Sequence, residues 1–358
     1  MAPLRSSLRC RAERLRVPCA SGSLTGRDGL SKEERAAFPD GSEEGEAWQA
    51  VNRAKGTRAG RTYHYRIRCG GAVSEGCTFR TAPPADAGAS FTFAVIGDVE
   101  GHAAGSPPFA RLSEALAERD LAFFVVLGDL VYYGQQQSNW DGFFRLGAPL
   151  FRRIVFVPVI GDHSMERLMS PGGEPRIVRE PPLLYLDQFL LPDNGTAESY
   201  TLGRRSHRGL WYSFDYGSAH VACIENTGEL TPPFLQRSGE LQRQWLDSDL
   251  AGTTRSWRFL LGHRVLYPLP VREAAPGPGE GGTVHVRLPK LGTHYPKERT
   301  PAGWQVMAPG EGEERIPAII TLVTVSPERV EVVSYAWTQE RAYHSFVLTD
   351  GQPAAGGP

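Results

Sequence analysis

The chain has 358 residues and nearly balanced charge, with 39 Lys and Arg residues against 40 Asp and Glu residues. Because no strong net field attracts nucleic acid or an anionic membrane surface, we expect neither as a partner. No run approaches the roughly 18 to 20 apolar residues that span a bilayer. These features predict a small substrate bound at a local site, in a chain longer than the usual single domain.

The N-terminal 57 residues have no sustained hydrophobic period and are rich in Arg, Glu, Gly and Ser. This composition predicts a weakly ordered arm over residues 1–57, with a misassigned start or a transit-like leader as alternatives for its first part. Arginines occur early in the arm, but no apolar segment follows them, so no signal peptide is visible.

Residues 58–84 contain two alternating runs, TYHYRIRC and CTFRTAP, which predict a β-hairpin. A lone hairpin is marginal in water, so we expect it to pack on the following domain. Cys69 and Cys77 bracket its turn, and the sequence leaves open whether they form a disulfide or remain thiols. Residues 85–90 lie in a Pro/Ala/Gly-rich stretch and are a predicted linker.

Between residues 91 and 350, short apolar runs alternate with helical patterns. The predicted order starts with strand FTFAVIGD, helix PPFARLSEALAER, strand LAFFVVLGD, helix WDGFFRLGAPLFRR and strand IVFVPVIGDH. Two strands in WYSFDYGSAHVACIEN, a helix in LQRQWLDSDLAG, a strand in SWRFLLGH and a closing hairpin in AIITLVTVSPERVEVVSYAW complete it. The alternation predicts one α/β domain with parallel strands and right-handed crossovers. Residues 351–358 are predicted to be a disordered tail.

Gly-Asp or Gly-His follows four of these predicted strands. The four positions are Gly97-Asp98, Gly128-Asp129, Gly161-Asp162-His163 and Gly262-His263. The carboxyl ends of parallel strands meet at one edge of a sheet, where open α/β sheets bind ligands. One such end is a common turn or cap, but four in order predict a cluster of metal ligands.

The motifs GDVEG, GDLVYYG, GDHS and LLGHRVLYP, with SGELQRQWLDSDLAG before the last of them, resemble those of the purple acid phosphatases, in the calcineurin-like metallophosphoesterase superfamily. The resemblance implies a four-layer α/β/β/α sandwich that hydrolyses phosphate mono- or diesters with a metal-bound hydroxide. The hairpin resembles the last two strands of the fibronectin type III-like module that precedes many such domains. Many relatives are exported, so the resemblance suggests a secreted or periplasmic location. Without a visible signal peptide export lacks support, and the location is left open between these and the cytoplasm.

The resemblance also assigns ligands to a dinuclear centre. Asp98 and Tyr132 are implied to bind one metal, Asp129 to bridge both, and His263 to bind the second. Asp162 stands where the family has Asn, so it is implied to give the second metal an oxygen ligand. Tyr132 has the alternative of packing in the core.

His163 is implied to be the histidine that contacts the phosphoryl oxygens or the leaving group. Glu100 lies two residues after Asp98, where the wider superfamily often has a metal-binding histidine, and we expect it to be a further ligand. The oxygen-rich set suits Mn²⁺, Mg²⁺ or Fe(III) more than Zn²⁺. We expect two ions, with Fe, Mn and Zn as the candidates.

The family's GHxH motif, which gives one histidine to each metal, does not occur in this sequence. In one interpretation, GTHYPKER is its scrambled remnant and brings His294 to the site. In the other, GGTVHV matches the strand that normally follows the motif, whose segment is deleted. We favour the second, because the match needs no forced register. His285 and His294 remain open as replacement ligands or as ordinary histidines.

The predicted function is therefore a metal-dependent phosphoesterase. The missing motif favours an alternative, a catalytically impaired binding or interaction protein on the same fold, and an incomplete gene product is a third interpretation. Neither GxSxG nor GxxxxGK[ST] occurs in the sequence, so serine-hydrolase and P-loop chemistry lack support. Trp140 and Tyr212 are expected either to line a substrate cleft or to lie in the core.

Overall fold

The fold is given by a computed structural model of the chain. It describes residues 57–66, 68–69, 72–100, 107–169, 175–177, 184–195, 201–202, 205–206, 209–227, 232–264, 319–336, 341–349 and 352–354. All but the last residue of the predicted N-terminal arm, and both His285 and His294, lie outside these ranges.

Strands and helices alternate along the first part of the domain, as predicted. In chain order the elements are β1 (Thr62–Tyr65), β2 (Arg68–Cys69), β3 (Ala72–Val73), β4 (Cys77–Arg80), β5 (Phe91–Ile96), α1 (Pro107–Ala117), β6 (Phe123–Leu127), α2 (Gln137–Phe151), β7 (Val155–Val159), α3 (Asp162–Glu166), β8 (Arg167–Met169), β9 (Pro175–Ile177), α4 (Leu184–Gln188), β10 (Thr201–Leu202), β11 (Arg205–Ser206), β12 (Tyr212–Tyr216), β13 (Ala219–Cys223), α5 (Pro232–Gly252), β14 (Trp257–Leu261), β15 (Ile319–Val325), β16 (Arg329–Ala336), β17 (Arg341–Thr349) and β18 (Gln352–Ala354).

Two sheets form the framework of the domain. The larger has seven strands in the order β18-β17-β16-β15-β5-β6-β7. Within it β5, β6 and β7 are parallel, and Val125 of β6 lies opposite Val95 and Val157. The smaller sheet has three strands, in which β12 pairs antiparallel with β13 and β13 pairs parallel with β14. The parallel strands β5, β6 and β7 therefore end at one edge of the larger sheet.

Helices α1 and α2 pack on the larger sheet, and α5 is bonded to the smaller sheet through Asp249, in agreement with the predicted α/β/β/α layers. Between the sheets, Phe93 and Phe123 pack with Tyr212 and Val221. On the other face of the larger sheet, residues of α1 and α2 form a second core, which includes Trp140. Trp140 and Tyr212 are both buried, so they are core residues and do not line a cleft.

The predicted hairpin is present, but its register separates the two cysteines. Strand β1 pairs antiparallel with β4, and Tyr65 lies opposite Cys77. Cys69 lies opposite Ala72 in the short β2–β3 pair, and Cys77 is a free thiol. The disulfide alternative is therefore not adopted. Tyr65 Oη donates to the Arg152 carbonyl oxygen at 2.8 Å, which joins the hairpin to the domain. The fibronectin type III-like module stays a prediction.

The prediction of a disordered tail over residues 351–358 is wrong for Gln352–Ala354. These residues form β18, in which Ala354 lies opposite Val347 and Gln352 opposite Thr349 of β17. An edge strand is held by main-chain hydrogen bonds and tolerates proline, so its sequence needs no apolar alternation. Within the described part of the chain, no helix combines the length and the apolar character that crossing a bilayer requires.

A polar network fastens α5 to the smaller sheet. The His220 ring lies between two carboxylates, with Nδ1 2.8 Å from Asp215 Oδ1 and Nε2 2.8 Å from Asp249 Oδ2. Ser213 Oγ donates to Asp249 Oδ1 at 2.8 Å, and Arg255 NH2 donates to Asp215 Oδ2 at 2.9 Å. These polar contacts connect β12, β13, α5 and the loop before β14.

The stabilising contribution of Asp215 should depend on pH. Burial opposes ionisation of Asp215, but the hydrogen bonds from His220 and Arg255 outweigh it, so the pKa lies below the usual range. A carboxylate with a folded-state pKa below its unfolded value stabilises the fold above that unfolded value, and this contribution is lost as pH falls through the folded pKa. We expect Asp215→Asn to lower the melting temperature at pH 7, and the deficit to shrink progressively in acid.

Thermal unfolding of wild type and variant across a pH series measures this effect. Glu118→Gln is the control, because the Glu118 side chain is 75% exposed and lies 3.8 Å from its arginine partner. A deficit of constant size at every pH would contradict the electrostatic explanation.

Candidate metal centre

Acidic and imidazole side chains from both sheets meet at the ends of the strands. Asp98 follows β5, Asp129 follows β6, Asp162 begins α3 after β7, and His263 follows β14. His263 Nε2 lies 3.0 Å from Asp162 Oδ1 and 3.5 Å from Asp129 Oδ1, and Nδ1 lies 3.6 Å from Asp98 Oδ1. All four strand-end ligands predicted from the sequence therefore lie together.

Two groups of three ligand atoms lie close enough to hold a metal ion each. One is formed by Asp98, Asp129 and His263, the other by Glu100, Asp129 and His163, and within each group the atoms lie within 4.8 Å of one another. Asp129 belongs to both groups. A carboxylate shared in this way fits the bridging position of a two-metal site, where the ions lie about 3.5 to 4 Å apart.

The donor set also fits metal ions by its charge and burial. The side chains of Glu100 and Asp129 are 1% and 5% exposed. Buried carboxylates are costly as anions unless a cation or hydrogen bonds compensate them. Carboxylate and imidazole ligands together suit Fe, Mn and Zn.

The backbone around Asp129 is held in an unusual conformation. Asp129 has φ of +44°, and the preceding Gly128 has φ of +88°. The amides of Val99 and Glu100 donate to the Asp129 carbonyl oxygen at 3.2 and 2.9 Å, and the His163 amide donates to Asp129 Oδ1 at 3.0 Å. These bonds fix both the main chain and the carboxylate of the shared residue.

At two of the strand ends only glycine fits, because a candidate ligand lies against the glycine backbone. A Cβ atom on Gly161 would overlap the amide nitrogen and Oδ1 of Asp129, and one on Gly128 would overlap the ring of His263. Any larger residue at either position would displace a candidate ligand. Glycine precedes aspartate in this pattern for two reasons: no side chain fits there, and the backbone has to turn.

Burial and neighbouring charges shift the acidities within the cluster. Burial, with further repulsion from Asp98 and Asp162, raises the pKa of Asp129 to about 6. Burial opposes ionisation of Asp162, but the hydrogen bond with His263 outweighs it and lowers the Asp162 pKa to about 2. Burial also disfavours a charged His263, yet Asp162, Asp129 and Asp98 raise its pKa to about 9. The proton on His263 therefore compensates the same carboxylates that a bound metal ion would compensate in its place.

The His263 ring is oriented for ligation by Nε2. Its Nδ1 lies 2.7 Å from the Leu127 carbonyl oxygen, which accepts the Nδ1 proton. This second contact leaves Nε2 directed at Asp129 and Asp162. A histidine that donates one ring proton to a carbonyl and offers the other nitrogen is the common arrangement at metal sites.

Tyr132 lies beside the centre and packs on other rings. Its ring centroid is 4.6 Å from the His163 ring and 4.7 Å from the Tyr133 ring, in edge-on geometry. Tyr132 thus lies next to a candidate ligand and also packs beside Tyr133, so the alternatives of metal ligation and core packing both stay open. Its ligation of a metal stays a prediction.

Ser164 and Asn226 also shape the centre, and the sequence analysis missed both. Buried Ser164 accepts the amide protons of Leu130 and Val131 through Oγ at 2.7 and 3.3 Å, which ties the loop after Asp129 to α3. Asn226 exchanges hydrogen bonds of 2.6 and 3.0 Å with the main chain of Arg264, directly after the candidate ligand His263. The only sequence signal for Ser164 is a short polar residue after GDH.

Arg264 places a positive charge at the rim of the centre. Its NH2 lies 3.5 Å from Asp162 Oδ1, and its side chain is 44% exposed. An exposed guanidinium at this position is accessible to an anionic substrate.

Comparison with known proteins gives consistent matches. The model of the calcineurin-like phosphoesterase family matches residues 91–292. Purple acid phosphatase 22 of Arabidopsis thaliana is 31% identical over 228 residues, 62% of this chain and 45% of that protein. Probable inactive purple acid phosphatase 9 of Arabidopsis thaliana is 27% identical over 181 residues, 45% of this chain and 26% of that protein. The chain thus spans less than half the length of these relatives.

Two solved structures share the fold at low sequence identity. The purple acid phosphatase PPD1 from yellow lupin has a TM-score of 0.50 at 14% identity, over 77% of this chain and 57% of that one. The structure of PhoD has a TM-score of 0.50 at 14% identity, over 84% of this chain and 78% of that one.

The space requirement at Gly161 predicts a variant that disturbs the centre. We expect Gly161→Ala to push Asp129 out of place and to weaken Mn²⁺ binding by roughly 10- to 100-fold, the usual range for a disturbed ligand support. Calorimetric titration with Mn²⁺ measures the affinity.

The matched control is Gly239→Ala on α5, where no atom lies within 4 Å of an added Cβ. Because alanine is the better helix former, this control should keep the affinity and stabilise the fold by up to about 1 kcal/mol. Unchanged Mn²⁺ binding in Gly161→Ala would contradict the role given to this glycine.

Proposed function

Because the chain belongs to the calcineurin-like phosphoesterase family, we propose that it is a metal-dependent phosphoesterase that hydrolyses small phosphate mono- or diesters. The observation that supports this most is the position of Asp129, whose carboxylate belongs to both groups of candidate ligands. In this proposal residues 91–350 form the catalytic domain, preceded by the hairpin module of residues 58–84.

We assign the first metal position to four side chains that the strand ends bring together, which departs from the family resemblance, where Asp98 belongs to one metal and His263 and Asp162 to the other. Asp98, Asp129 and His263 have ligand atoms within 4.8 Å of one another, and Asp162 Oδ1 lies 3.0 Å from His263 Nε2. Metal ions at such a centre supply a water of lowered pKa and positive charge for the phosphoryl oxygens. The protein's part is to hold the carboxylates in place and to keep His263 Nε2 directed at Asp129 and Asp162.

Arg264 is the proposed contact for the substrate's anionic group. It lies next to Asp162 and remains half-exposed, whereas the candidate ligands His263 and Asp129 are buried deeper. A guanidinium binds phosphate oxygens with two parallel hydrogen bonds, which orients the ester as well as attracting it.

A second candidate function is a binding protein of the same fold with reduced or no turnover. The absence of GHxH from the sequence favours this function. One of the similar proteins is also named as inactive, the probable inactive purple acid phosphatase 9. The two functions differ in one measurable respect, since the binding protein holds metal or phosphate without hydrolysing esters.

Asp129→Asn tests the phosphoesterase proposal. We expect a loss of metal and a fall in kcat/KM of at least about 10²-fold, because metal ions supply several kcal/mol of transition-state stabilisation. Hydrolysis of 4-nitrophenyl phosphate and bis(4-nitrophenyl) phosphate reports activity, and circular dichroism reports folding.

Asp141→Asn is the control, because Asp141 is exposed on α2 and accepts a hydrogen bond from Gln137. Full activity in folded Asp129→Asn would refute the assignment. Metal binding without hydrolysis of either ester by the wild type would favour the binding protein.

A further inference from the structure

We propose that Glu100, Asp129 and His163 form the second metal pocket of this protein, with His163 as a metal ligand. This inference deepens the proposed function and rests on it for the presence of metal. It differs from the role that the family resemblance implies, in which His163 contacts the phosphoryl oxygens. It also accounts for how a second ion is held in a chain whose sequence has no GHxH motif.

The geometry of the three side chains carries the proposal. His163 Nδ1 lies 2.7 Å from Glu100 Oε2, with the side chains 13% and 1% exposed. These two ligand atoms and one from Asp129 all lie within 4.8 Å of one another. An ion with bonds of about 2.0 to 2.2 Å reaches three atoms at such separations after small side-chain adjustments.

The main chain holds the same three residues together. The Glu100 amide donates to the Asp129 carbonyl oxygen at 2.9 Å, and the His163 amide donates to Asp129 Oδ1 at 3.0 Å. The ring of Tyr132 packs edge-on against His163. The pocket is therefore preorganised by its own members, as a site with defined coordination geometry requires.

Charge favours a cation in this pocket. Glu100 and Asp129 are both buried carboxylates, and two such groups close together repel each other. A divalent ion compensates both carboxylates at once and leaves His163 neutral, the form in which imidazole binds metals.

His220 shows that a histidine beside two carboxylates is not enough. At His220 the carboxylates lie at opposite ring nitrogens, Asp215 at Nδ1 and Asp249 at Nε2. Each carboxylate has a further donor, Arg255 or Ser213. The three groups therefore surround the ring and share no pocket, so this network is structural and His220 is a matched control for His163.

Titration with Mn²⁺, followed by calorimetry and electron paramagnetic resonance, tests the proposal without any substrate. We expect about two ions per wild-type chain, with the coupled signal of ions that share a carboxylate. Glu100→Gln and His163→Gln should each bind about one ion and give the six-line signal of isolated Mn²⁺. His220→Gln, measured on folded protein, should keep the wild-type number of ions and the coupled signal.

The possible failures separate this inference from the proposed function. If folded His163→Gln and Glu100→Gln both keep two coupled ions, the pocket is overturned while the phosphoesterase proposal stands. A wild type that binds a single ion, lost in Asp129→Asn, overturns only the second pocket. A folded wild type that binds no Mn²⁺, Fe or Zn overturns both.

Discussion

The centre depends on how one aspartate is held in a left-handed backbone conformation. A non-glycine residue at such φ costs on the order of 1 to 3 kcal/mol, and Asp129 adopts φ of +44°. Three amides offset this cost, two at its carbonyl oxygen and one at its carboxylate. The three donors, Val99, Glu100 and His163, come from the segments after β5 and β7. The turn after the middle strand β6 thus fixes the segments on either side of it.

One of the hydrogen bonds that join the two sheets lies at the same place. His263 follows β14 of the smaller sheet, and its Nδ1 donates to Leu127 of β6 in the larger sheet at 2.7 Å. Beneath this contact, Phe93 and Phe123 pack with Val221 in the core between the sheets. Because the candidate ligands come from both sheets, a metal ion bound between them would also stabilise the packing of the sheets.

The parallel strands and the cluster of residues at their ends could be predicted, because both depend on local sequence. Strands β5 and β6 and the last three residues of β7 are almost entirely buried, so these strands occur in the sequence as continuous apolar runs. Parallel strands also place their carboxyl ends together. The clustering of Asp98, Asp129, Asp162 and His263 follows from that rule. Glycine at two of these strand ends, Gly128 and Gly161, follows from the space that the neighbouring candidate ligands occupy.

Features that depend on distant partners could not be predicted. Ser164 accepts amides from residues more than thirty positions earlier, and Asn226 pairs with a residue 38 positions later. Neither pairing has a periodic signal, because the partner is a main-chain atom that any residue provides. Strand β18 and the separation of Cys69 from Cys77 likewise depend on register, which turn lengths and pairing decide after the chain has folded.

Carboxylates stand at two positions where the resemblance leads us to expect histidine and asparagine ligands. They lower the net positive charge that the proposed centre would offer to an anionic substrate. The proposed centre contains Asp98, Glu100, Asp129 and Asp162, and the four negative charges of their ionised carboxylates cancel those of two divalent ions. In the proposed phosphoesterase, a phosphate ester would therefore meet less net positive charge on the metals than at a histidine-rich centre. Either a trivalent ion such as Fe(III), which oxygen ligands favour, or a protein cation must supply the difference. Arg264, half-exposed beside Asp162 and fixed through its main chain by Asn226, is placed to provide that charge.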